Sequence, residues 1–162
     1  MATITICSSA NFYRQVVEVQ ELLEQAGFKV LIPSNAQVMK ETGDYNVEHY
    51  KTWFADAKDY HKKAAFMRDH FDEVAKGDAV LVVNNEKHGV PNYIGGNVLM
   101  EMALAFYLHK PIFILNEVPE ESPFLEEILG FEPIVLHGKP ENLAKEYEKL
   151  ISKKSPNTAT TV

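Results

Sequence analysis

A single acidic side chain stands within the most apolar stretch of the sequence. Glu101 is the only residue of the stretch 98–108 that is charged at neutral pH. A carboxylate on a buried helix must be paired, hydrogen-bonded or neutralised, because burial disfavours its charged form. Gly95 and Gly96 come just before this helix, which we expect to begin near Asn97. The Glu101 carboxylate therefore points back towards the two glycines. There it is either a nucleophile or general acid–base group, or a structural acceptor of backbone hydrogen bonds.

The elements that must position this carboxylate alternate between short β-branched runs and longer helical stretches. We predict five strands, at 3–7, 28–32, 78–83, 111–115 and 133–136. One helix follows the first strand and ends at Gly27, and an amphipathic helix covers 140–153. The alternation predicts an α/β fold with right-handed crossovers. We expect a doubly wound, five-stranded parallel sheet of flavodoxin-like or Rossmann-like type, in the order 2-1-3-4-5, with helices on both faces.

The remaining segments complete a single predicted domain over residues 1–153. The segment 34–76 holds no convincing strand and is predicted to be a loop followed by one long or two broken helices. It is rich in aromatic residues, which either stack on a bound ligand or pack on the sheet and form a symmetric dimer face. Residues 154–162 are polar and threonine-rich, and we predict a flexible C-terminal tail there.

The expected sheet also predicts where a ligand binds. In open α/β sheets, ligands bind outside the carboxyl ends of the strands, at the point where the strand order reverses. Here that point lies between the first and third strands, so the segments 8–14 and 84–101 meet there. Paired glycines before a helix let a ligand approach backbone N–H groups, and the helix end favours anions. The sequence contains neither G-x-G-x-x-G nor the P-loop pattern, so neither a dinucleotide fingerprint nor a P-loop is supported.

The segment GGNVLMEMALA at 95–105, followed by Lys-Pro-Ile at 110–112, resembles the nucleoside 2-deoxyribosyltransferase superfamily. That superfamily includes the 2′-deoxynucleoside 5′-phosphate N-hydrolases. The segment 77–83 resembles its Asp-containing third strand, and the segment 4–9 lies where its first strand and sugar or phosphate loop lie. The resemblance implies cleavage or transfer of an N-glycosidic bond, on (deoxy)nucleosides or nucleoside 5′-monophosphates. Such a reaction passes through an oxocarbenium-like state that a carboxylate stabilises or captures.

The resemblance also implies roles for individual residues. Glu101 would be the nucleophile that attacks the anomeric carbon, and Asp69 the acid that handles the base. The residues that would bind the sugar or a 5′-phosphate are Ser8, Ser9 and Asn97. Gly95 and Gly96 would offer backbone N–H groups to the same ligand. Tyr13 and Arg14 open the first helix, and they either contact the sugar or phosphate or form a solvated helix start. Asn84 either hydrogen-bonds a sugar hydroxyl or is an ordinary turn residue.

Two departures from the family pattern leave a second function class open. Transferases of the family place an Asp six residues before the nucleophile, where this sequence has Gly95. The hydrolases carry a basic loop after the first strand, where only Arg14 is basic here. The sequence therefore favours an enzyme, a nucleoside deoxyribosyltransferase or nucleotide N-glycosidase. The alternative is a non-catalytic nucleotide-binding or sensing module of the same fold.

Composition excludes several other classes. Sixteen Lys and Arg against 23 Asp and Glu give a net charge of −7, and the basic residues are scattered. Neither a nucleic-acid polymer nor an anionic membrane is therefore expected as a partner.

One cysteine and six histidines without an i,i+4 pair predict no metal site, and no cofactor is predicted. The N-terminus lacks the pattern of a secretory signal, which favours a cytoplasmic protein. We expect a homo-oligomer that binds a small molecule.

Overall fold

The computed structural model describes residues 1–154. Its five strands are β1 (Thr3–Ser8), β2 (Lys29–Leu31), β3 (Ala79–Val83), β4 (Ile112–Ile114) and β5 (Ile134–Val135). Its six α-helices are α1 (Tyr13–Gln25), α2 (Ser34–Thr42), α3 (Tyr60–Lys76), α4 (Gly96–Tyr107), α5 (Leu125–Gly130) and α6 (Asn142–Lys154). Short 3-10 turns cover Ala10–Phe12, Val47–His49, Thr52–Phe54 and Ala57–Asp59. Strands and helices alternate as the sequence predicts.

The sheet has the predicted topology. The strand order is β2-β1-β3-β4-β5, and every adjacent pair is parallel. This confirms the flavodoxin-like, doubly wound prediction. Cys7 pairs with Val82 and Ser8 with Val83, so β1 and β3 end level with each other. The carboxyl ends of both strands therefore open into the same space, at the reversal of strand order.

The core lies on both faces of the sheet, because alternate residues of each parallel strand point to opposite sides. In β3, Leu81 packs in a cluster with residues of α1 and α6, whereas Val80 and Val82 pack in a cluster with α3, α4 and α5. Cys7 belongs to the second cluster. The end of β1 therefore presents this side chain to the helices that carry His70 and Glu101.

The end of α1 shows how the sequence sets a helix boundary. Gly27 has a φ of +90°, a value that glycine adopts without steric cost. The N–H of Phe28 donates to the carbonyl of Leu23, and the N–H of Gly27 donates to the carbonyl of Glu24. These two bonds form a Schellman motif, which satisfies carbonyl groups at the end of the helix. The predicted helix end at Gly27 is confirmed.

The segment 34–76 differs from its prediction at its start. A helix, α2, begins at Ser34 directly after Pro33, where a loop was expected, and Gly43 ends it with a φ of +72°. Three 3-10 turns follow, and α3 then runs as one helix. The predicted tail at 154–162 lies outside the described residues except for Lys154, the last residue of α6. Among the described helices, none has the length and apolar character needed to cross a bilayer.

Candidate active site

A cleft lies at the carboxyl ends of β1 and β3. Its volume is about 580 Å³, within the range of small-molecule sites. One wall is the turn after β1. The others are the segment 47–53, the inner face of α3, and the loop after β3 with the first turns of α4. The cleft therefore occupies the position that the strand order predicts for a ligand site.

Glu101 forms part of the floor of this cleft. It lies in the second turn of α4, where Met100 and Met102 are its sequence neighbours, and is only 8% exposed. Within residues 1–154, its buried Oε2 atom has no hydrogen-bond partner, and it lies 3.6 Å from Nε2 of His70. Burial raises the pKa of Glu101, and the positive charge of His70 opposes that shift. The carboxylate is thus both desolvated and adjacent to open space.

His70 is the floor residue that sequence reasoning missed. It lies on α3, is 6% exposed and lines the cleft beside Glu101. Its Nδ1 lies 2.7 Å from Oε2 of Glu73, one helical turn along α3. Burial opposes the charged form of His70, but the bond to Glu73 and the charge of Glu101 outweigh it and raise its pKa. The available sequence signal was the i,i+3 spacing of His70 and Glu73, which lie on the face of α3 that also buries Val74.

Cys7 lies beneath the floor and completes a three-residue cluster with His70 and Glu101. Its side chain is fully buried at the end of β1. Its Sγ, one ring nitrogen of His70 and one carboxylate oxygen of Glu101 all lie within 4.8 Å of one another. Thr5, on the same face of β1, donates its hydroxyl to the carbonyl of Glu73 at 2.8 Å. This bond fixes α3 against β1 and therefore helps to hold the cluster together.

Three lysines line the cleft above this floor. They are Lys51, Lys63 and Lys87, and among residues 1–154 none of them forms an ion pair with a carboxylate. Burial and the charges of Lys87 and Lys63 lower the pKa of Lys51. Burial also lowers the pKa of Lys63, and the nearby charge of Glu101 counters it. Three cations therefore converge on one cleft of an acidic protein.

Aromatic side chains hold two of these lysines. The ammonium of Lys63 lies 5.9 Å from the centre of the Trp53 ring, and that of Lys87 lies 4.6 Å from the centre of the Tyr93 ring. The Lys87 ammonium also donates to the hydroxyl of Ser9 at 3.3 Å. The aromatic residues lining the cleft are Tyr13, Tyr50, Trp53, Phe66, Tyr93 and Phe124. The aromatic segment thus supplies a wall of the cleft.

Most of the predicted site residues lie around this cleft. Besides Glu101, those that line it are Ser8, Ser9, Tyr13, Gly95, Gly96 and Asn97. The hydroxyl of Ser8 donates to the carbonyl of Ser9 at 3.1 Å. Burial raises the pKa of Tyr13, and the charge of Glu101 adds to the shift. The segments after β1 and β3 therefore meet as the topology requires.

Three predicted site residues are not among those that line the cleft. Asp69 is exposed on α3, one position before His70, because successive helical residues point about 100° apart. Arg14 is exposed and lies over the ring of Tyr45, 4.5 Å from its centre. Asn84 is fully buried and structural. Its amide donates to the carbonyl of Glu117 and accepts from the backbone N–H of residue 116, both at 2.9 Å.

The fold and the cleft define a flavodoxin-like α/β protein with a small-molecule site at its topological switch point. No family model and no curated protein match the chain. A solved structure that is similar to it is FerB, a flavoenzyme NAD(P)H:(acceptor) oxidoreductase from Paracoccus denitrificans. The match covers 94% of each chain, with 14% sequence identity and a TM-score of 0.43.

These comparisons correct the family assignment. The similar structure is described as an oxidoreductase, and no family model or curated protein connects the chain with nucleoside 2-deoxyribosyltransferases. The predicted family, the N-glycosidic transferase or hydrolase activity and the nucleotide-sensing alternative were therefore wrong. The only specific part of the resemblance was the short segment around Glu101. Small residues before an apolar helix also arise wherever a helix packs closely on a parallel sheet.

Proposed function

We propose that this protein is an enzyme that binds a small organic anion in the cleft and acts on it through Glu101. The observation that carries the proposal is the arrangement of charges. Three lysines without an acidic partner among the described residues surround a cleft whose floor holds a buried carboxylate. The proposal depends on the geometry of this cleft alone.

The lysines favour an anionic ligand. Like charges brought close together repel each other, and a bound anion relieves that repulsion. The chain carries a net charge of −7, so its overall field repels anions. Lys51, Lys63 and Lys87 bring positive charge to the lining of the cleft. A carboxylate, sulfonate or phosphate group would form charge-assisted hydrogen bonds with their ammonium groups.

The walls favour a ligand with a flat apolar part. Trp53 is 6% exposed, and its ring lies 6.1 Å from the ring of Phe66, with both side chains on the cleft. Tyr13 and Tyr93 approach from the other walls. Aromatic surfaces of this kind bind planar rings through burial and offset stacking. The volume of about 580 Å³ accommodates such a ring with one anionic substituent.

Glu101 is the group placed to act on the ligand. Its buried Oε2 atom has no hydrogen-bond partner in the part of the chain that the structure describes, and the residue lines the cleft. In a site that excludes water, a carboxylate interacts strongly with a proton or cation brought to it. The lysines lie above it and would orient the anionic end of the ligand. A reaction at the opposite end of the ligand would then take place beside the floor.

A binding experiment tests the anion. The panel is one aromatic ring carrying a carboxylate, a sulfonate or a phosphate ester, with neutral amide and cationic amine analogues. It is measured by thermal shift and calorimetry with a metal chelator present. We expect only the anionic members to raise Tm. Lys63→Met should weaken their binding about 10- to 100-fold, the loss of one charge-assisted contact. Lys62→Met is the matched control, because Lys62 pairs with Asp59. Equal effects of both variants, or equal binding of neutral analogues, would contradict the proposal.

A second experiment tests Glu101 as the acting group. Anions that bind are incubated with the protein, and their conversion is followed by proton NMR. Glu101→Gln has nearly the same shape but cannot act as a carboxylate. We expect it to retain anion binding and to lose turnover. Turnover that survives in the variant removes Glu101 from the reaction, and binding without turnover in the wild type makes the protein a binding module.

A further inference from the structure

We propose that Cys7, His70 and Glu101 form a binding site for a divalent transition-metal ion of the zinc type, with its fourth position open to the cleft. These residues come from three elements, β1, α3 and α4, and all three are buried. Their donor atoms lie within 4.8 Å of one another. The inference shares Glu101 with the proposed function, but it does not depend on which anion binds in the cleft.

The hydrogen-bond geometry leaves an unfilled position between two of these residues. Nδ1 of His70 lies 2.7 Å from Oε2 of Glu73, so in the neutral ring Nδ1 carries the hydrogen and Nε2 carries a lone pair. That nitrogen lies 3.6 Å from Oε2 of Glu101, and neither atom has a hydrogen-bond partner among the described residues. When both groups are deprotonated, two buried acceptors face each other, and a proton or a metal ion between them relieves this arrangement. A proton would join these two atoms, whereas a metal ion would also engage Cys7.

The distances suit a tetrahedral ion. Zinc bonds of about 2.0–2.3 Å place neighbouring tetrahedral ligands about 3.3–3.8 Å apart. The separation of 3.6 Å between Nε2 of His70 and Oε2 of Glu101 already falls in that range. All three donor atoms lie within 4.8 Å of one another. The Cys7 sulfur would therefore have to move about an ångström towards the other two ligands, which a side-chain rotation can supply. Three protein ligands and one open position are typical of catalytic zinc sites.

The surroundings of the cluster also fit a metal. Metal-binding histidines usually donate their second ring N–H to a carboxylate, which fixes the ring and its tautomer. Glu73 makes this contact here and is itself held by the bond from Thr5 to its carbonyl. A Cys7 thiolate and a Glu101 carboxylate would balance both charges of a divalent ion. The ion would therefore add no net charge beside the lysines.

The donor set selects the class of ion. Thiolate and imidazole ligands favour zinc, cobalt or copper, whereas magnesium and calcium require oxygen ligands. The chain has a single cysteine. Any sulfur-to-metal absorption band must therefore arise from Cys7, which makes cobalt(II) a selective spectroscopic probe of this site.

The experiment uses the full chain, stripped with a chelator and then titrated with cobalt(II) and zinc(II) in the absence of any organic anion. We expect one ion per chain, a thiolate-to-cobalt absorption band, and loss of the band when zinc(II) but not magnesium(II) is added. Cys7→Ser should remove the band. Glu73→Gln should weaken binding about 10- to 100-fold while leaving the band in place, as expected for a positioning residue. His61→Ala is the control, because His61 lies on the exposed face of α3.

The wild-type titration is decisive by itself, so a variant that fails to fold does not obscure the result. Absence of the thiolate band at saturating cobalt(II) would overturn the proposal. The variant His70→Gln removes a proposed ligand, whereas His61→Ala removes a surface histidine. If both variants weaken metal binding equally, the ion occupies an adventitious surface site and the proposal is overturned. The anion titration contains a chelator and this one contains no anion. Failure of either result therefore leaves the other interpretable.

Discussion

Gly95 and Gly96 begin α4 side by side, yet they should respond in opposite ways to the addition of one methyl group. A Cβ atom on Gly95 would lie 2.9 Å from the hydroxyl oxygen of Tyr93 and 3.1–3.2 Å from two of its ring carbons. A Cβ atom on Gly96 would meet nothing within 4 Å. Neither glycine has a positive φ, so backbone strain does not enter. The contrast isolates the contact with Tyr93, the residue whose ring holds the Lys87 ammonium.

The expected magnitudes follow from these contacts. Gly96→Ala should stabilise the fold by about 0.5–1 kcal/mol, because alanine favours the helix and reduces the freedom of the unfolded chain. Gly95→Ala should cost about 1–3 kcal/mol, because the Tyr93 ring must move away. For a chain of this size, Tm should rise by about 1–4 °C in the first variant and fall by about 2–12 °C in the second.

Thermal unfolding followed by circular dichroism measures both shifts, and a double-mutant cycle tests their cause. In a Tyr93→Ala background the penalty of Gly95→Ala should fall below about 0.5 kcal/mol. If Gly95→Ala lowers Tm equally with and without the Tyr93 ring, the steric reasoning fails. If both alanine variants raise Tm, the close approach of Tyr93 to the start of α4 is itself wrong.

Two further predictions concern buried polar groups. Burial raises the pKa of Glu101 above its ordinary value of 4.5, so the folded protein retains that proton to a higher pH than the unfolded chain does. The retained proton stabilises the folded state, and this stabilisation is complete below about pH 4.5. It is lost as the pH rises through the pKa that Glu101 has in the folded protein. With a metal chelator present, Glu101→Gln should therefore have a higher Tm than the wild type near pH 8, and this difference in Tm should shrink as the pH falls towards 4.5. A difference in Tm that stays constant between pH 8 and pH 4.5 would contradict the prediction. Asn84→Ala should cost about 1–3 kcal/mol in urea unfolding, because it leaves the carbonyl of Glu117 and a backbone N–H without partners. The exposed Asn97→Ala is its control, and equal costs would contradict the structural role of Asn84.

The local pattern of the sequence was sufficient to predict the sheet. Continuous apolar runs such as 79–83 indicate strands buried on both faces, and the alternation with helices restricts the chain to parallel crossovers. The same pattern failed at 34–42, where α2 replaces an expected loop. Its buried apolar residues are only two, Ala36 and Met39, so the helical period is weak in a segment this short.

Glu101 stood out in the sequence because a charge within an apolar helix is a local contradiction. The identity of its acid–base partner could not be inferred from the neighbouring sequence. Asp69 and His70 are adjacent in the chain, and only the packing of α3 against β1 turns His70 inwards and leaves Asp69 in solvent. The sequence therefore indicated the correct segment of α3 but not the residue.

The sequence by itself determined the strands, their order and the place where a ligand site must lie, because those properties follow from periodicity and from the handedness of the crossovers. Only the tertiary structure brought the donor atoms of Cys7, His70 and Glu101 to within 4.8 Å of one another. It also gathered three lysines from distant segments around one cleft. Local spacing reports which face of an element is apolar, whereas meeting points between elements depend on how those faces pack. That packing is a property of the whole chain.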